Sequence, residues 1–124
     1  MTVNLAGIDH PRNNHKNYSS PEAFLKDCVA PIISSQGDII ARVARDSIQK
    51  EKRLFSQFKQ SEQKRTLRTF MAENAKCRFE LIGIVLALFS EEEVDYFFQH
   101  ENVILAAMKK LLIEYLDDHL YQLQ

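Results

Sequence analysis

The segment from Phe79 to Val94, FELIGIVLALFSEEEV, restricts the fold more than any other part of the chain. Residues 81–89 form a run of nine positions without a charge or an amide. Such a run is too short to cross a bilayer, which takes roughly 20 apolar residues. We therefore expect a helix buried in the core of a soluble protein, with residues 79–98 at the centre of the fold.

The same segment contains the start of a second helix directly after the apolar run. Ser90 is suited to cap that helix, and Glu93, three residues later, completes a capping box. Phe89 and Val94 stand at the positions of a hydrophobic staple around this cap. The spacing predicts a tight corner between two helices at Ser90.

Similar start and stop signals divide the rest of the chain. Ser20-Pro21-Glu22 is a helix start, with a capping hydroxyl followed by proline at the first helical position. Pro31 predicts a break or kink near Ala30. Gly37 is suited to a left-handed helix end and Asp38 to the next cap. The apolar periodicity then predicts helices over residues 39–60, 62–89, 91–99 and 103–121, with Gly83 allowing another helix to approach closely.

These elements predict an all-α fold, a helical bundle of four to five helices. A length of 124 residues favours one domain. Only three glycines and three prolines occur, which argues for few connections and against a sheet of many strands. We expect a single helical-bundle domain at residues 20–124. Residues 1–19 lack sustained apolar periodicity, so we expect them to be a flexible N-terminal arm.

No residue pattern in the chain points to catalysis. Glycines at positions 7, 37 and 83 cannot form a phosphate-binding loop. Cys28 and Cys77 lack the paired spacing of a zinc site. The acidic run Glu91-Glu92-Glu93 is best explained by a helix start, where carboxylates offset the helix dipole. We predict that the protein is not an enzyme and has no cofactor or metal.

Both cysteines lie in apolar helical patterns, which predicts reduced, buried side chains. The first residues, MTVNLAGIDHPRNNHK, contain no apolar run of signal-peptide length. We therefore expect a cytoplasmic protein that does not associate with a membrane.

The net charge of −1 conceals a strong internal division. Residues 39–78 contain eleven basic and four acidic residues, a net charge of +7, whereas residues 79–124 have a net charge of −7. One interpretation is that the two segments attract each other within or between subunits. Alternatively, the basic helices meet nucleic acid or an acidic protein. The candidate surface comprises Arg42, Arg45, Arg53, Lys64, Arg65 and Arg68.

The last predicted helix has a wide apolar stripe, which either fills the centre of the bundle or is covered by a second copy of the chain. Its candidate self-association residues are Ile104, Met108, Leu111, Leu112 and Tyr115. We predict a small helical protein–protein interaction module of the adaptor, immunity or anti-activator type, acting as a homodimer. The alternative is a transcriptional regulator that binds nucleic acid through helices within residues 39–78.

Overall fold

The computed structural model describes residues 18–123 of the chain, and the predicted arm therefore lies, apart from its last two residues, outside the described residues. The described part is an all-α bundle without strands, which confirms the predicted fold class. Its helices are α1 (Pro21–Phe24), a π-helical turn (Leu25–Val29), α2 (Ala30–Ser35), α3 (Gly37–Glu51), α4 (Gln60–Glu73), α5 (Ala75–Leu86), α6 (Glu91–Gln99) and α7 (Glu101–Asp118). Short 3-10 helices span Phe55–Gln57 and Leu120–Leu123.

The first helix starts as predicted, and the interruption predicted near Ala30 takes the form of a π-helical turn rather than an end of the helix. The Ser20 hydroxyl accepts a hydrogen bond from the Ala23 amide at 3.1 Å. The chain then passes through the π-helical turn, in which the Ala30 amide bonds to the Leu25 carbonyl. A proline ring inside a regular helix clashes with the carbonyl four residues before it. The wider turn just before Pro31 relieves that crowding, so the chain stays helical from α1 through α2, and turns of this kind are places where helices kink.

The expected left-handed end at Gly37 is wrong. Gly37 is the first residue of α3, and Asp38 lies inside the first turn of that helix rather than at its cap. The lack of a side chain at Gly37 has another cause: a Cβ atom there would overlap the phenol of Tyr115 on α7. The glycine therefore makes room for the Tyr115 phenol at the start of α3.

Two of the predicted long helices are shorter in the structure. The helix predicted to reach residue 60 ends at Glu51, and the following loop turns inward to bury Phe55 completely. The helix predicted over residues 62–89 is divided at Asn74, whose side chain accepts a hydrogen bond from the Cys77 amide at 2.8 Å and caps α5. The predicted boundary near residue 60 is confirmed, because α4 begins at Gln60.

The corner at Ser90 is confirmed in detail. The Ser90 hydroxyl accepts from the Glu93 amide at 3.2 Å, and the Ser90 amide donates to the Glu93 carboxylate at 2.7 Å. Glu93 is buried and its carboxylate also accepts a hydrogen bond from the Tyr18 hydroxyl at 3.3 Å. The cap therefore fixes α6 and ties it to the chain just before α1.

The centre of the bundle is α7 rather than residues 79–98. This helix packs against α2, α4, α5, α6 and the π-helical turn. In contrast, α5 buries only one face, formed by Cys77, Leu81, Ile82 and Val85. Phe79 is 64% exposed, and no atom outside its own helix lies within 4 Å of a Cβ built on Gly83. The predicted close approach of another helix at Gly83 is therefore wrong.

None of the helices in residues 18–123 has both the length and the apolar character needed to cross a membrane.

Candidate functional site

Arg42 and Arg45 on α3 are held together by one carboxylate. Their Nε atoms lie 3.0 and 3.4 Å from the two oxygens of Asp46. The hydrogen bond from Arg42 is the largest influence on this carboxyl and lowers the pKa of Asp46. Because only the Nε–H groups point to Asp46, the terminal nitrogens of both guanidinium groups have no partner in the described part of the chain.

The two arginines line a depression of about 370 Å³ next to the second 3-10 helix. Its other lining residues are Asp38, Ala41, Tyr121 and Gln122. The Tyr121 ring is 68% exposed, which is unusual for so large an apolar surface. Tyr121 therefore gives Arg42 and Arg45 an exposed aromatic neighbour.

The six candidate basic residues are distributed over α3, the loop after it and α4. α3 packs mainly against α5 and the second 3-10 helix, whereas α4 packs mainly against α7 and α5. Arg53 lies in the exposed loop after α3, and Lys64 is half-exposed on α4. Arg65 lines a different depression, of about 300 Å³, whose rim includes Glu51, Lys52 and Glu73. These charges therefore lie on several elements, and the end of α3 approaches α4 where Lys52 and Arg65 line the same depression.

Arg68 takes part in a structural ion pair with α7. Its Nη atom lies 2.6 Å from Asp117 Oδ2, and the Asp117 side chain is only 9% exposed. The second oxygen, Oδ1, is buried and has no hydrogen-bond partner in the described residues. Among residues 18–123 this pair is the salt bridge that joins the basic segment to the acidic one. Arg68 therefore fits the interpretation of internal charge complementarity.

Most of the predicted self-association stripe faces the interior of its own chain. Ile104, Met108 and Leu112 are completely buried, so they cannot meet a second copy in this fold. Leu111 and Tyr115 are half-buried, and Tyr115 packs over Gly37. Burial raises the pKa of the Tyr115 phenol, and Asp38 adds to the effect. The wide stripe is explained by the central position of α7.

Two exposed apolar residues lie at the corner between α6 and α7. Phe98 is 61% exposed and Val103 is 56% exposed. Both line one depression of about 390 Å³, together with Gln99, His100, Glu101 and Asn102. We call this place the α6–α7 corner. Single exposed apolar residues are common, but two that share a depression mark a possible contact surface.

An aromatic cluster beneath α6 holds the corner in place. Phe24 is completely buried and its ring centroid lies 5.0 Å from that of Tyr96, 4.9 Å from that of Tyr18 and 5.5 Å from that of Phe89. Phe97 packs against Phe89 at 6.0 Å and against Phe98 at 5.2 Å. The inward-facing rings therefore fix the orientation of α6, and Phe98 projects from its other side.

Charged residues of opposite sign flank the corner. On α6, Glu91, Glu92 and Asp95 are exposed, whereas Glu93 is buried in the cap. On α7, Lys109 and Lys110 are exposed and line a depression of about 470 Å³ with Arg68, Ala106, Ile113, Glu114 and Asp117. The surface thus changes from acidic to apolar to basic along the chain.

The α6–α7 corner was not among the surfaces predicted from the sequence. The burial of Glu93 and Phe97, four residues apart, places Phe98 on the side of Glu91 and Asp95. The sequence does not indicate that the charged residue Glu93 is buried, so the direction of Phe98 became clear only in the structure.

The described residues contain no group of three His, Cys, Asp or Glu side chains placed to hold a metal ion. Cys28 and Cys77 are buried thiols, and desolvation raises the pKa of Cys77. Comparisons with protein-family models, curated proteins and solved structures gave no match to this chain. The function must therefore be argued from the surfaces described above.

Proposed function

We propose that this chain is a small, non-enzymatic helical interaction module, of the kind found in adaptor, immunity or anti-activator proteins. It binds a protein partner through the α6–α7 corner. The observation that carries the proposal is the pair Phe98 and Val103, which are more than half exposed and line one depression.

The corner has the composition of a binding surface. Aromatic side chains that fill a partner's pocket contribute most to protein–protein affinity, and surrounding polar residues exclude water. Phe98 provides such an aromatic ring, and the charges on α6 and α7 provide a polar surround. The rigid support beneath Phe98 lowers the entropy cost of binding, because its neighbour Phe97 is already packed.

A cytoplasmic location belongs to the same proposal. Cys28 and Cys77 are buried in the core as thiols, as is usual in reducing compartments, where disulfides are rare.

The test compares what the wild-type protein and a Phe98→Glu variant bind. Leu54→Glu is the matched control, since Leu54 is also a largely exposed apolar residue but lies in the loop after α3. We expect the wild-type protein and the Leu54→Glu variant to retain a bound protein, which is either a second copy of this chain or a different chain. The Phe98→Glu variant should lose that bound protein. Equal binding by all three proteins, with equal thermal stability, would overturn the proposal.

A second candidate function, nucleic-acid binding, is favoured by the depression at Arg42, Arg45 and Tyr121. Exposed aromatic rings stack on bases, while arginines neutralise phosphates. The unpartnered terminal nitrogens of Arg42 and Arg45 lie on the same depression as the Tyr121 ring. Asp38 lines the same depression, and its carboxylate repels an anion such as a phosphate group.

Fluorescence anisotropy with a labelled duplex and a labelled single strand tests this candidate at low and at physiological salt. Binding through phosphates weakens steeply as salt rises, because counterions are released. A joint Arg42→Ala and Arg45→Ala variant should then lose binding, and Tyr121→Ala should lose it mainly for the single strand. Lys109→Ala with Lys110→Ala is the matched control. No binding at low salt would remove this candidate.

A further inference from the structure

The surface around the corner is continuous along two helices. On α6, Glu91, Asp95 and Phe98 are separated by four and three residues, which places them on one side of the helix. On α7, Val103, Ala106 and Lys110 are separated by three and four residues and also share one side. Phe98 and Val103 meet in the corner depression and join the two sides. We call the whole surface the corner face, formed by Glu91, Glu92, Asp95, Phe98, Val103, Ala106, Lys109 and Lys110.

The charges on the corner face are arranged at matching distances from its apolar middle. Glu91 and Glu92 precede Phe98 by seven and six residues, and Lys109 and Lys110 follow Val103 by six and seven. At about 1.5 Å per residue, each charged pair lies roughly 10 Å along its helix from the corner. The acidic pair on α6 and the basic pair on α7 therefore lie at similar distances from the corner.

We propose that the corner face binds the same face of a second copy of this chain, with a two-fold axis through the Phe98–Val103 corner. This inference rests on the proposed function, because it names the partner of the corner. A two-fold axis pairs each surface with itself and exchanges its two ends. The glutamates of one protomer then face the lysines of its partner, twice per dimer, while Phe98 and Val103 of both protomers form the apolar middle.

The neighbouring charges are compatible with this arrangement. Arg68 lies at the basic end, but its charge is already offset by Asp117. Glu114 is exposed four residues after Lys110, on the same side of α7 and one turn farther from the corner. Glu101 lines the corner depression. Because Glu101 precedes Val103 by two residues, its side chain points about 160° away from that of Val103 around α7. The exposed ion pairs make association sensitive to salt.

Charge reversal at each end, followed by mixing, tests the proposal. One variant is Glu91→Lys with Glu92→Lys, so that both ends of the face are basic. The other is Lys109→Glu with Lys110→Glu, so that both ends are acidic. Each variant alone brings like charges together at both contacts, whereas an equal mixture restores two opposite-charge contacts.

Sedimentation equilibrium measures the outcome on the full chain, and circular dichroism checks that each variant folds. We expect wild type to dimerise with an affinity that falls as salt rises, each variant to be monomeric, and the mixture to form a heterodimer. Formation of that heterodimer also shows that a monomeric variant has not simply misfolded. Leu54→Ser, outside the face, should dimerise like wild type, and Phe98→Ser should not.

Two results would overturn the inference: a monomeric wild type at low salt, or charge-reversed variants that dimerise as well as wild type. A monomeric wild type that still retains a different protein through Phe98 overturns the dimer and leaves the proposed function standing. A monomeric wild type with no partner that depends on Phe98 overturns both.

Discussion

Gly83 stands at an exposed position in the middle of α5, where glycine is costly. Glycine in a helix interior is less favourable than alanine by ~1 kcal/mol. No atom outside its own helix lies near enough to obstruct a methyl group at this position. We expect Gly83→Ala to raise the free energy of unfolding by up to ~1 kcal/mol, measured by urea denaturation.

Gly37→Ala is the matched comparison, because the methyl group there would overlap the Tyr115 phenol. That variant should be less stable than wild type. A loss of stability in Gly83→Ala as well would show that α5 has a close neighbour at Gly83.

The pair of Arg68 and Asp117 gives a second prediction at the scale of single residues. Removing the arginine leaves a carboxylate that is nine-tenths buried without its ionic partner. Hydrogen bonds to charged groups contribute about 1.5–3 kcal/mol, and we expect the lower end of that range because Arg68 is largely exposed. Arg68→Ala should therefore lower the free energy of unfolding by roughly 1.5 kcal/mol.

A double-mutant cycle separates the pair from other effects of the substitutions. Arg68→Ala combined with Asp117→Ala should cost less than the sum of the two single changes. Additive costs would mean that the two side chains do not interact in solution.

At the scale of the helices, the π-helical turn at Leu25–Val29 gives a third prediction. Its hydrogen bonds join residues five apart instead of four, so the turn contains one residue more than a regular α-helix needs. Deletion of exposed Lys26 would restore regular spacing and rotate the residues before it by about 100° relative to α2. Phe24 would then leave the core, at a cost comparable to the 3–5 kcal/mol of Phe→Ala in a core.

Lys26→Ala is the control for this deletion, since it keeps the chain length and should change stability by no more than about 0.5 kcal/mol. Thermal and urea denaturation of both variants give the comparison. A deletion as mild as the substitution would contradict the π-helical turn.

Helix boundaries that depend on adjacent residues could be predicted from the sequence. Ser90 and Glu93 form their capping box within four residues, and Ser20 caps α1 in the same local way. The end of α3 at Glu51 could not be predicted, because the following loop is determined by the burial of Phe55 in the distant core. The helix boundary at Asn74 could not be predicted for a related reason, since the amphipathic spacing continues across this residue.

The candidate surfaces were harder to predict than the helices. The partner of Arg68 lies 49 residues away in the sequence, and no periodicity connects the two positions. Arg42 and Arg45 were recognised as neighbours, because three residues separate them on one helix. Their exposed aromatic neighbour Tyr121 comes from the far end of the described chain, so only the fold brings it there.

At the scale of the whole molecule, the position of α7 separates core residues from surface residues. Leu112 is completely buried, so Leu112→Ala should lower the free energy of unfolding by about 2–5 kcal/mol. That loss should be the same at low and at high protein concentration, because the side chain packs within one protomer. A loss that changes with concentration would instead place Leu112 between two copies.

The central position of α7 also has a consequence for the synthesis of the protein. A ribosome makes this helix after all the other α-helices in the described part of the chain, yet most of them pack against it. Until residues 101–118 have left the exit tunnel, apolar side chains such as Ile32, Leu67 and Leu81 lack the helix that completes their core. The bundle therefore closes late during translation, and the unfinished chain exposes surfaces of the kind that chaperones recognise.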